Sequence, residues 1–237
     1  MGKLIFIRHG QSLWNAENRF TGWVDVDLSE RGVEEAKESG KLIKDLNLDF
    51  QSYHTSFLTR AIRTLEIIMK ILNKTDELKK SWKLNERHYG ALTGLNKSET
   101  KKKLGEEKFK IYRRSWDNPP PELDDNSNFS SLNDPLYSKL QKIPKTESLK
   151  DTYERVVPYF ESEILSHLLN NKNVIVSAHG NSLRALCKKI FKISDGQISL
   201  LEIPTGNPLV IEFNKSGEVL GANYLDQSRK KEIILNN

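Results

Sequence analysis

The sequence contains little cysteine and no long apolar run. Cys187 is the only cysteine in 237 residues, so the chain has no pair for an internal disulfide, which is typical of proteins in a reducing compartment. No stretch approaches the roughly 18 apolar residues of a membrane-spanning helix. The apolar run at residues 4–7 is also too short for a secretory signal. We therefore expect a cytoplasmic protein with no membrane partner.

Positive charge is in modest excess, because 37 Lys and Arg residues outnumber 32 Asp and Glu residues and give a net charge of +5 at pH 7. Much of the excess lies in residues 96–114, which contain eight cations and three acids. Such a balance fits nucleic acid, an anionic surface or a small anionic ligand. The sequence has no zinc-finger spacing, basic zipper or RNA-recognition motif, so we do not expect nucleic acid as a partner. A solvated helix face is the alternative interpretation of the lysines.

The apolar pattern predicts strands that alternate with helices, and 37% hydrophobic residues suffice for a core. Nearly continuous apolar strands indicate burial on both faces, as in a parallel sheet between helices. The predicted strands are 3–7, 50–54, 173–178 and 209–213, and the predicted helices are 29–46, 58–72, 148–168 with a kink at Pro158, and 183–190. This order indicates an α/β fold.

We predict a single domain over residues 1–237. Residues from about 96 to 144 are polar and basic and include the turn-forming run Pro119–Pro121, which indicates an insertion of short helices and loops. The charged tail at 226–237 is predicted to be mobile.

One short pattern occurs twice. A buried strand runs into histidine, glycine, an amide residue and serine at residues 9–12, and again at residues 179–182. Because the carboxyl ends of strands in an open α/β sheet form the ligand crevice, His9 and His179 are expected to face one crevice if their strands are neighbours. A lone histidine at a strand end is more often structural, but two in the same pattern, with Arg8 beside one, favour chemistry.

A metal site is a weaker alternative for these histidines. No two histidines have the i, i+4 spacing of a helical metal site, and a single cysteine excludes a thiolate cluster. We therefore expect no metal. The helix start that follows His179 instead offers free backbone N–H groups to an anion.

The segment Arg8-His9-Gly10-Gln11-Ser12 resembles the signature of the histidine phosphatase superfamily. Further segments look like the 2,3-bisphosphoglycerate-dependent phosphoglycerate mutases, and they include Phe20-Thr21-Gly22-Trp23, Leu84-Asn85-Glu86-Arg87-His88-Tyr89-Gly90, Arg113-Arg114 and Ile203-Pro204-Thr205-Gly206. The resemblance extends from about Leu4 to Leu225. It implies the phosphoglycerate mutase-like fold, a three-layer α/β/α sandwich with a mostly parallel sheet.

The resemblance also implies the catalytic roles. His9 would be the nucleophile that forms a phosphohistidine. Arg8, Arg60 and His179 would hold the transferring group, since phosphoryl transfer depends mostly on positioning and electrostatics. Glu86 would be the general acid and base, although the local sequence alone is equally consistent with an exposed glutamate paired to the next arginine.

The remaining implied positions would complete the pocket or meet a second anionic group of the ligand. They are Ser12, Asn15, Thr21, Gly22, Arg87, Tyr89, Lys97, Arg113, Arg114, Gly180 and Asn181. The implied reaction interconverts 3-phosphoglycerate and 2-phosphoglycerate in glycolysis and gluconeogenesis, with 2,3-bisphosphoglycerate as the primer of the phosphoenzyme and without a metal. Relatives are commonly dimers or tetramers, so a homodimer or homotetramer is implied.

Two other functions would use parts of the same site. A phosphatase acting on a sugar phosphate or phosphoprotein would need the nucleophile and its clamp, but not the arginines at 87, 113 and 114 together. A catalytically silent scaffold that binds phosphorylated ligands would leave no acid-labile phosphate on His9.

Overall fold

A mixed sheet lies at the centre of the computed structural model, which describes residues 1–132 and 134–234. Within this part of the chain the sheet has six strands, in the order β3-β2-β4-β1-β5-β6. The strands are β1 (Gly2–Arg8), β2 (Ser52–Thr55), β3 (Leu78–Lys80), β4 (Val174–Ala178), β5 (Leu209–Phe213) and β6 (Val219–Tyr224). β1 to β4 are paired in parallel, whereas β5 and β6 are antiparallel. The predicted α/β class with a mostly parallel sheet is confirmed.

Helices cover both faces of the sheet. They are α1 (Leu13–Ala16), α2 (Glu30–Lys44), α3 (Thr59–Ile71), α4 (Lys97–Leu104), α5 (Glu106–Arg114), α6 (Leu149–Tyr159), α7 (Leu165–Leu169) and α8 (Gly180–Ile190). α2 and α3 pack together beside one face, and α6 and α8 pack together beside the other. This arrangement is the predicted three-layer sandwich.

The sequence of β1 explains its central place. Leu4 and Phe6 belong to the apolar cluster on one face, and Ile5 and Ile7 belong to the cluster on the other. All four side chains are fully buried. Because successive side chains of a strand point to opposite faces, a strand buried on both sides needs a continuous apolar run. Burial of each such side chain contributes roughly 1.5–3 kcal/mol to folding.

Several boundaries differ from the predicted ones. β3 and β6 were not predicted, because β3 has three residues and two of them are lysines, while β6 is half exposed. The predicted helix 148–168 is divided, since a π-helical turn at Phe160–Ile164 separates α6 from α7 just after Pro158. α8 begins at Gly180 rather than at the predicted residue 183.

The segment 96–144 contains α4, α5 and a short turn at Pro135–Tyr137. In the tail, Arg229 donates hydrogen bonds to the carbonyl oxygens of Thr205 (3.1 Å) and Gly206 (3.0 Å), which attach the chain beside the end of β1. The single-domain organisation, the bounds of the insertion and the mobility of the tail stay predictions. Position 133 and positions 235–237 lie outside the described residues.

The loop after β1 fits closely against the first turn of α2. A Cβ atom added to Gly10 would lie 2.1 Å from the carbonyl oxygen of Gly32, whose main chain belongs to that turn. The glycine after His9 is therefore required by a close approach of two backbone segments, which fixes the position of the histidine.

We expect Gly10→Ala to lower the free energy of unfolding by about 1–3 kcal/mol, because two backbone segments must separate to admit the methyl group. Urea unfolding measures this change. Gly221→Ala is the control, since a Cβ there has no neighbour within 4 Å among the described residues. Equal stability of the two variants would contradict the close approach.

Candidate active site

A cavity of about 270 Å³ opens at the carboxyl ends of the parallel strands. Its walls come from several chain segments, and most of the charged groups in them are cations. The eight cations are Arg8, Arg19, Arg60, Lys97, Arg113, Arg114, Arg184 and Lys231, and the two carboxylates are Glu86 and Glu202. Such a wall suits a ligand that carries several negative charges.

The two predicted histidines lie together at this cavity. His9 lines it directly, and the ring of His179 packs behind with its centroid 4.9 Å from that of His9. The backbone explains their proximity: β1 and β4 are paired in parallel, and the N–H of His9 continues the ladder by donating to Ala178 (3.0 Å). The two histidines therefore lie side by side as expected, but only His9 faces the cavity, because His179 lies behind its wall.

The surroundings of His9 fix its tautomer. The Nδ1 atom lies 2.7 Å from the carbonyl oxygen of Gly10. A carbonyl only accepts hydrogen bonds, so Nδ1 carries the proton and donates it, and Nε2 of the neutral ring keeps its lone pair. Burial lowers the pKa of His9 well below its usual value, and the nearby charges of Arg60 and Arg8 lower it further. The ring is therefore neutral at physiological pH, with the lone pair of Nε2 free.

His179 is also buried, and burial followed by the charge of Arg60 lowers its pKa well below the usual value. Its Nε2 lies 2.8 Å from the hydroxyl of Ser56, the residue directly after β2. Its Nδ1 is buried and has no hydrogen-bond partner among the described residues. An incoming oxygen atom could therefore be bound by this nitrogen.

Arg60 lies in the first turn of α3 and is 1% exposed. Two of its nitrogens donate to the carbonyl oxygens of Gly22 (2.8 Å) and Val24 (3.0 Å), which fixes the guanidinium at the cavity wall. Burial lowers the pKa of Arg60 to about 10, and Glu86 partly opposes this effect. The group therefore remains charged at neutral pH and is rigidly placed for an anion.

Buried polar atoms without partners surround the same cavity. Among the residues that the structure describes, these include Arg8 Nε, Thr21 Oγ1, His179 Nδ1 and Arg184 Nε. Leaving one such group unsatisfied costs about 1–3 kcal/mol, so a bound group that supplies acceptor oxygens is favoured here. Phosphoryl oxygens have this chemistry, and planar guanidinium groups bind them well.

Glu86 is buried at the cavity wall and is 8% exposed. One of its carboxylate oxygens, Oε1, accepts the backbone N–H groups of Arg87 (2.8 Å) and Asn181 (3.1 Å). The alternative of an exposed glutamate paired with the guanidinium of Arg87 is therefore wrong. The backbone carbonyl of Glu86 in turn accepts a hydrogen bond from Arg155 (3.0 Å) of α6, which holds the segment in place.

A second group of cations lines the cavity from the basic helices α4 and α5. Lys97 begins α4, and Arg113 and Arg114 end α5. Burial, followed by the charges of Arg113 and Arg8, lowers the pKa of Lys97 to about 8. The cations thus fall into two groups, one around His9 and one on the two helices of the basic segment.

Thirteen of the predicted positions line the cavity, and the other three, Ser12, Arg87 and His179, lie behind its wall. Ser12 caps α1 by accepting the N–H of Asn15 (3.1 Å), while Asn15 itself faces the cavity. Arg87 is fully buried, with its guanidinium 4.7 Å from the ring centre of Tyr89. Ser12 and Arg87 thus support neighbours that line the cavity, and their direct contact with a ligand stays a prediction.

Six further lining residues were not among the predicted site positions: Arg19, Arg184, Glu202, Ile203, Pro204 and Lys231. Arg184 follows Asn181 by one helical turn on α8 and donates to its side-chain oxygen (2.9 Å). That i, i+3 spacing was a usable signal, because both side chains then share a helix face. Arg19 and Glu202 offered no such signal, since they reach the cavity from irregular segments.

Within residues 1–132 and 134–234, no three His, Cys, Asp or Glu side chains are grouped so that they could hold a metal ion. None of the helices in the same part of the chain is long and apolar enough to span a bilayer.

Comparison with known proteins assigns the class. A family model described as histidine phosphatase superfamily (branch 1) matches residues 4–223. The fold is similar to Bacillus stearothermophilus YhfR, with a TM-score of 0.70 and 21% identity over 92% of this chain and 94% of that chain. It is also similar to a mycobacterial glucosyl-3-phosphoglycerate phosphatase, with a TM-score of 0.67 and 19% identity over 89% and 92% of the two chains. The chain therefore belongs to the histidine phosphatase superfamily and shares its fold with these two structures.

Curated relatives narrow the assignment. The 2,3-bisphosphoglycerate-dependent phosphoglycerate mutase of Pelagibacter ubique is 52% identical over 99% of this chain and 100% of its own length. The mutase of the same name from Corynebacterium diphtheriae is 54% identical over 95% of this chain and 92% of its own. The chain therefore belongs to the family of 2,3-bisphosphoglycerate-dependent phosphoglycerate mutases.

We expect the imidazoles of His9 and His179 to stay neutral when the pH falls through about 6.5, where an ordinary histidine takes up a proton. Burial and the adjacent arginines disfavour the charged form, so the lowered pKa values extend the neutral range toward acid. NMR titration of the imidazole C–H resonances from about pH 8 to pH 5.5 measures this, with His9→Ala and His179→Ala to assign the signals. A midpoint near 6.5 for either ring would contradict the description.

Proposed function

We propose that this protein interconverts 3-phosphoglycerate and 2-phosphoglycerate by way of phosphorylated His9. The observation that carries the proposal is a neutral imidazole in the wall of a cavity that is also lined by eight cations. Membership of the mutase family supports the choice of substrate. We propose no metal in this reaction.

The nucleophile is Nε2 of His9. When bound, 2,3-bisphosphoglycerate supplies the phosphoryl group that primes this nitrogen. Arg8, Arg60 and His179 bind the equatorial oxygens of the transferring group, where charge is concentrated in the transition state. Arginine suits this role because its planar guanidinium group can donate hydrogen bonds to two phosphoryl oxygens at once.

Glu86 moves the proton. A hydroxyl that attacks a phosphoryl group must lose its proton, and a hydroxyl that leaves must regain one. Two backbone N–H groups hold Oε1 of Glu86, so the carboxylate is fixed while its second oxygen, Oε2, lies near Gly180 at the cavity wall. We propose that this second oxygen is the proton acceptor and donor.

The basic helices distinguish a mutase from a simple phosphatase. Lys97, Arg113 and Arg114 lie on the wall formed by α4 and α5, where they would bind the carboxylate or the second phosphate of a glycerate. A phosphatase has no need to retain a ligand that carries anionic groups on adjacent carbons. The described geometry therefore favours retention and transfer of the phosphoryl group over its release to water.

Water must be kept from phosphorylated His9, because hydrolysis would convert the mutase into a phosphatase. Lys231 of the tail lines the cavity, and Arg229 attaches the tail to the loop after Ile203. We propose that the tail closes over the bound ligand.

We further propose a homodimer or homotetramer in the cytoplasm, with no nucleic-acid partner. β3 supports self-association, since it forms one edge of the sheet and pairs only with β2 in the described chain. An open strand edge offers unpaired backbone groups to a second copy.

Incubation with radiolabelled 2,3-bisphosphoglycerate is expected to leave one acid-labile phosphate on the protein, and His9→Ala is expected to leave none, because the attacking nitrogen is gone. Quenching in alkaline detergent followed by filter counting measures the label, and its loss on acid treatment identifies it as acid-labile. A coupled enolase assay on the same samples should show isomerisation that requires 2,3-bisphosphoglycerate. Free phosphate without isomerisation would favour the phosphatase, and an unlabelled wild-type protein would favour the silent scaffold.

Glu86→Gln is expected to lower kcat for isomerisation by about 10²- to 10⁴-fold, because the amide cannot exchange a proton with the substrate hydroxyl. Binding of 3-phosphoglycerate, measured by calorimetry, should change much less. Glu35→Gln is the matched control, since Glu35 is equally buried (8% exposed) and also accepts a backbone N–H, that of Gln11 (2.8 Å), but lies outside the cavity. Equal losses in both variants would indicate a structural role for Glu86.

A further inference from the structure

Glu202 is a carboxylate at the mouth of a cavity built to bind anions. Its neighbours Leu201 and Ile203 are buried in the core, at 2% and 3% exposure, and this alternation turns the side chain of Glu202 outward. The segment is fixed because the carbonyl of Ile203 accepts a hydrogen bond from Arg8 (2.9 Å). Glu202 therefore faces the cavity mouth as a result of the fold, and its side chain is 51% exposed.

The two carboxylate oxygens of Glu202 face two different cations. Oε1 lies 2.7 Å from Nη2 of Arg114, at the end of α5. Oε2 lies 3.8 Å from Nζ of Lys231, in the tail. Both cations line the cavity, and they come from segments more than a hundred residues apart in sequence. Glu202 thus neutralises the part of the mouth that the second anionic group of a ligand would approach.

We propose that Glu202 is a specificity-determining residue that competes with the ligand for Arg114 and thereby weakens the binding of more highly charged ligands. The inference rests on the proposed function, because it concerns the second anionic group of a phosphoglycerate. A ligand that engages Arg114 competes with Glu202 for its guanidinium and binds with the negative charge of Glu202 nearby. Each further negative charge on the ligand increases this repulsion.

The competition affects ligands unequally. Inorganic phosphate occupies the subsite at His9 and does not reach Arg114. 3-Phosphoglycerate adds a carboxylate, and 2,3-bisphosphoglycerate adds a carboxylate and a second phosphate. Glu202 therefore narrows the difference in affinity between the bisphosphate and the monophosphate, which helps the monophosphate to replace the bisphosphate.

The test measures Kd by calorimetry for inorganic phosphate, 3-phosphoglycerate and 2,3-bisphosphoglycerate, with and without Glu202→Gln. Both proteins carry His9→Ala, so that no phosphoryl transfer disturbs the binding. We expect binding of the bisphosphate to tighten about fivefold and that of 3-phosphoglycerate about twofold, in line with the energy of a partly exposed ion pair. The Kd for inorganic phosphate should stay the same. The tightening of 2,3-bisphosphoglycerate binding by Glu202→Gln should become smaller as salt is added, because salt screens the repulsion between Glu202 and the ligand.

Two further variants separate charge from structure. Glu212→Gln removes a partly exposed carboxylate that is likewise paired with a cation, Lys3 (2.7 Å), but at the opposite end of β1, and should leave all three affinities unchanged. Glu202→Asp keeps the charge at the mouth and should bind the bisphosphate more weakly than Glu202→Gln does. Tightening by the same factor for all three ligands, no change, or weaker binding in Glu202→Gln would overturn the proposal.

Failure of the proposed function and failure of the role of Glu202 would give different experimental results. A protein that isomerises no phosphoglycerate would still give the three affinities, and their response to Glu202→Gln would still decide the role of this carboxylate. A protein that isomerises phosphoglycerate normally but shows no graded response would retain the proposed function and lose this inference.

Discussion

The parallel pairing of β1 with β4 is the constraint on which the site depends. Ile7 is in register with Ser177 and Arg8 with Ala178, so both strands end at the same level and each is followed by a histidine at the same edge of the sheet. The two imidazole rings then meet, although they are 170 positions apart in sequence. Core packing on both faces of β1 holds this register, since a shift by one residue would exchange the faces of all its apolar side chains.

A cavity with so many cations is electrostatically unfavourable without a ligand. Desolvation lowers the pKa values of Arg60, Lys97 and Arg184, to about 10, 8 and 9, which shows how strongly the fold restricts solvation of these charges. Backbone carbonyl groups stabilise part of the charge, as at Arg60. The remaining unsatisfied donors are preorganised for an anion, and this preorganisation is what a phosphoryl-transfer site requires.

A buried ion pair supports the loop that carries Glu86. Arg155 of α6 contacts Glu147 at 2.6 Å, with both side chains almost fully buried. The same guanidinium donates to the carbonyl oxygens of Lys83, Asn85 and Glu86. An arginine can serve so many acceptors because its five N–H groups form a rigid fork. The loop that carries Glu86 is therefore held by α6 as well as by its own hydrogen bonds.

The sequence alone determined the sheet strands that are continuously apolar, the alternation of strands and helices, and the residue types around His9 and His179, because these depend on local pattern and motif. It did not determine β3, β6 or the π-helical turn after Pro158, which depend on pairing and packing with distant segments. Nor did it determine that Arg184 and Glu202 reach the cavity, or that Ser12 and Arg87 lie behind its wall. Only the tertiary structure decided these, since the direction of a side chain follows from the packing of its whole segment and not from the residues beside it in sequence.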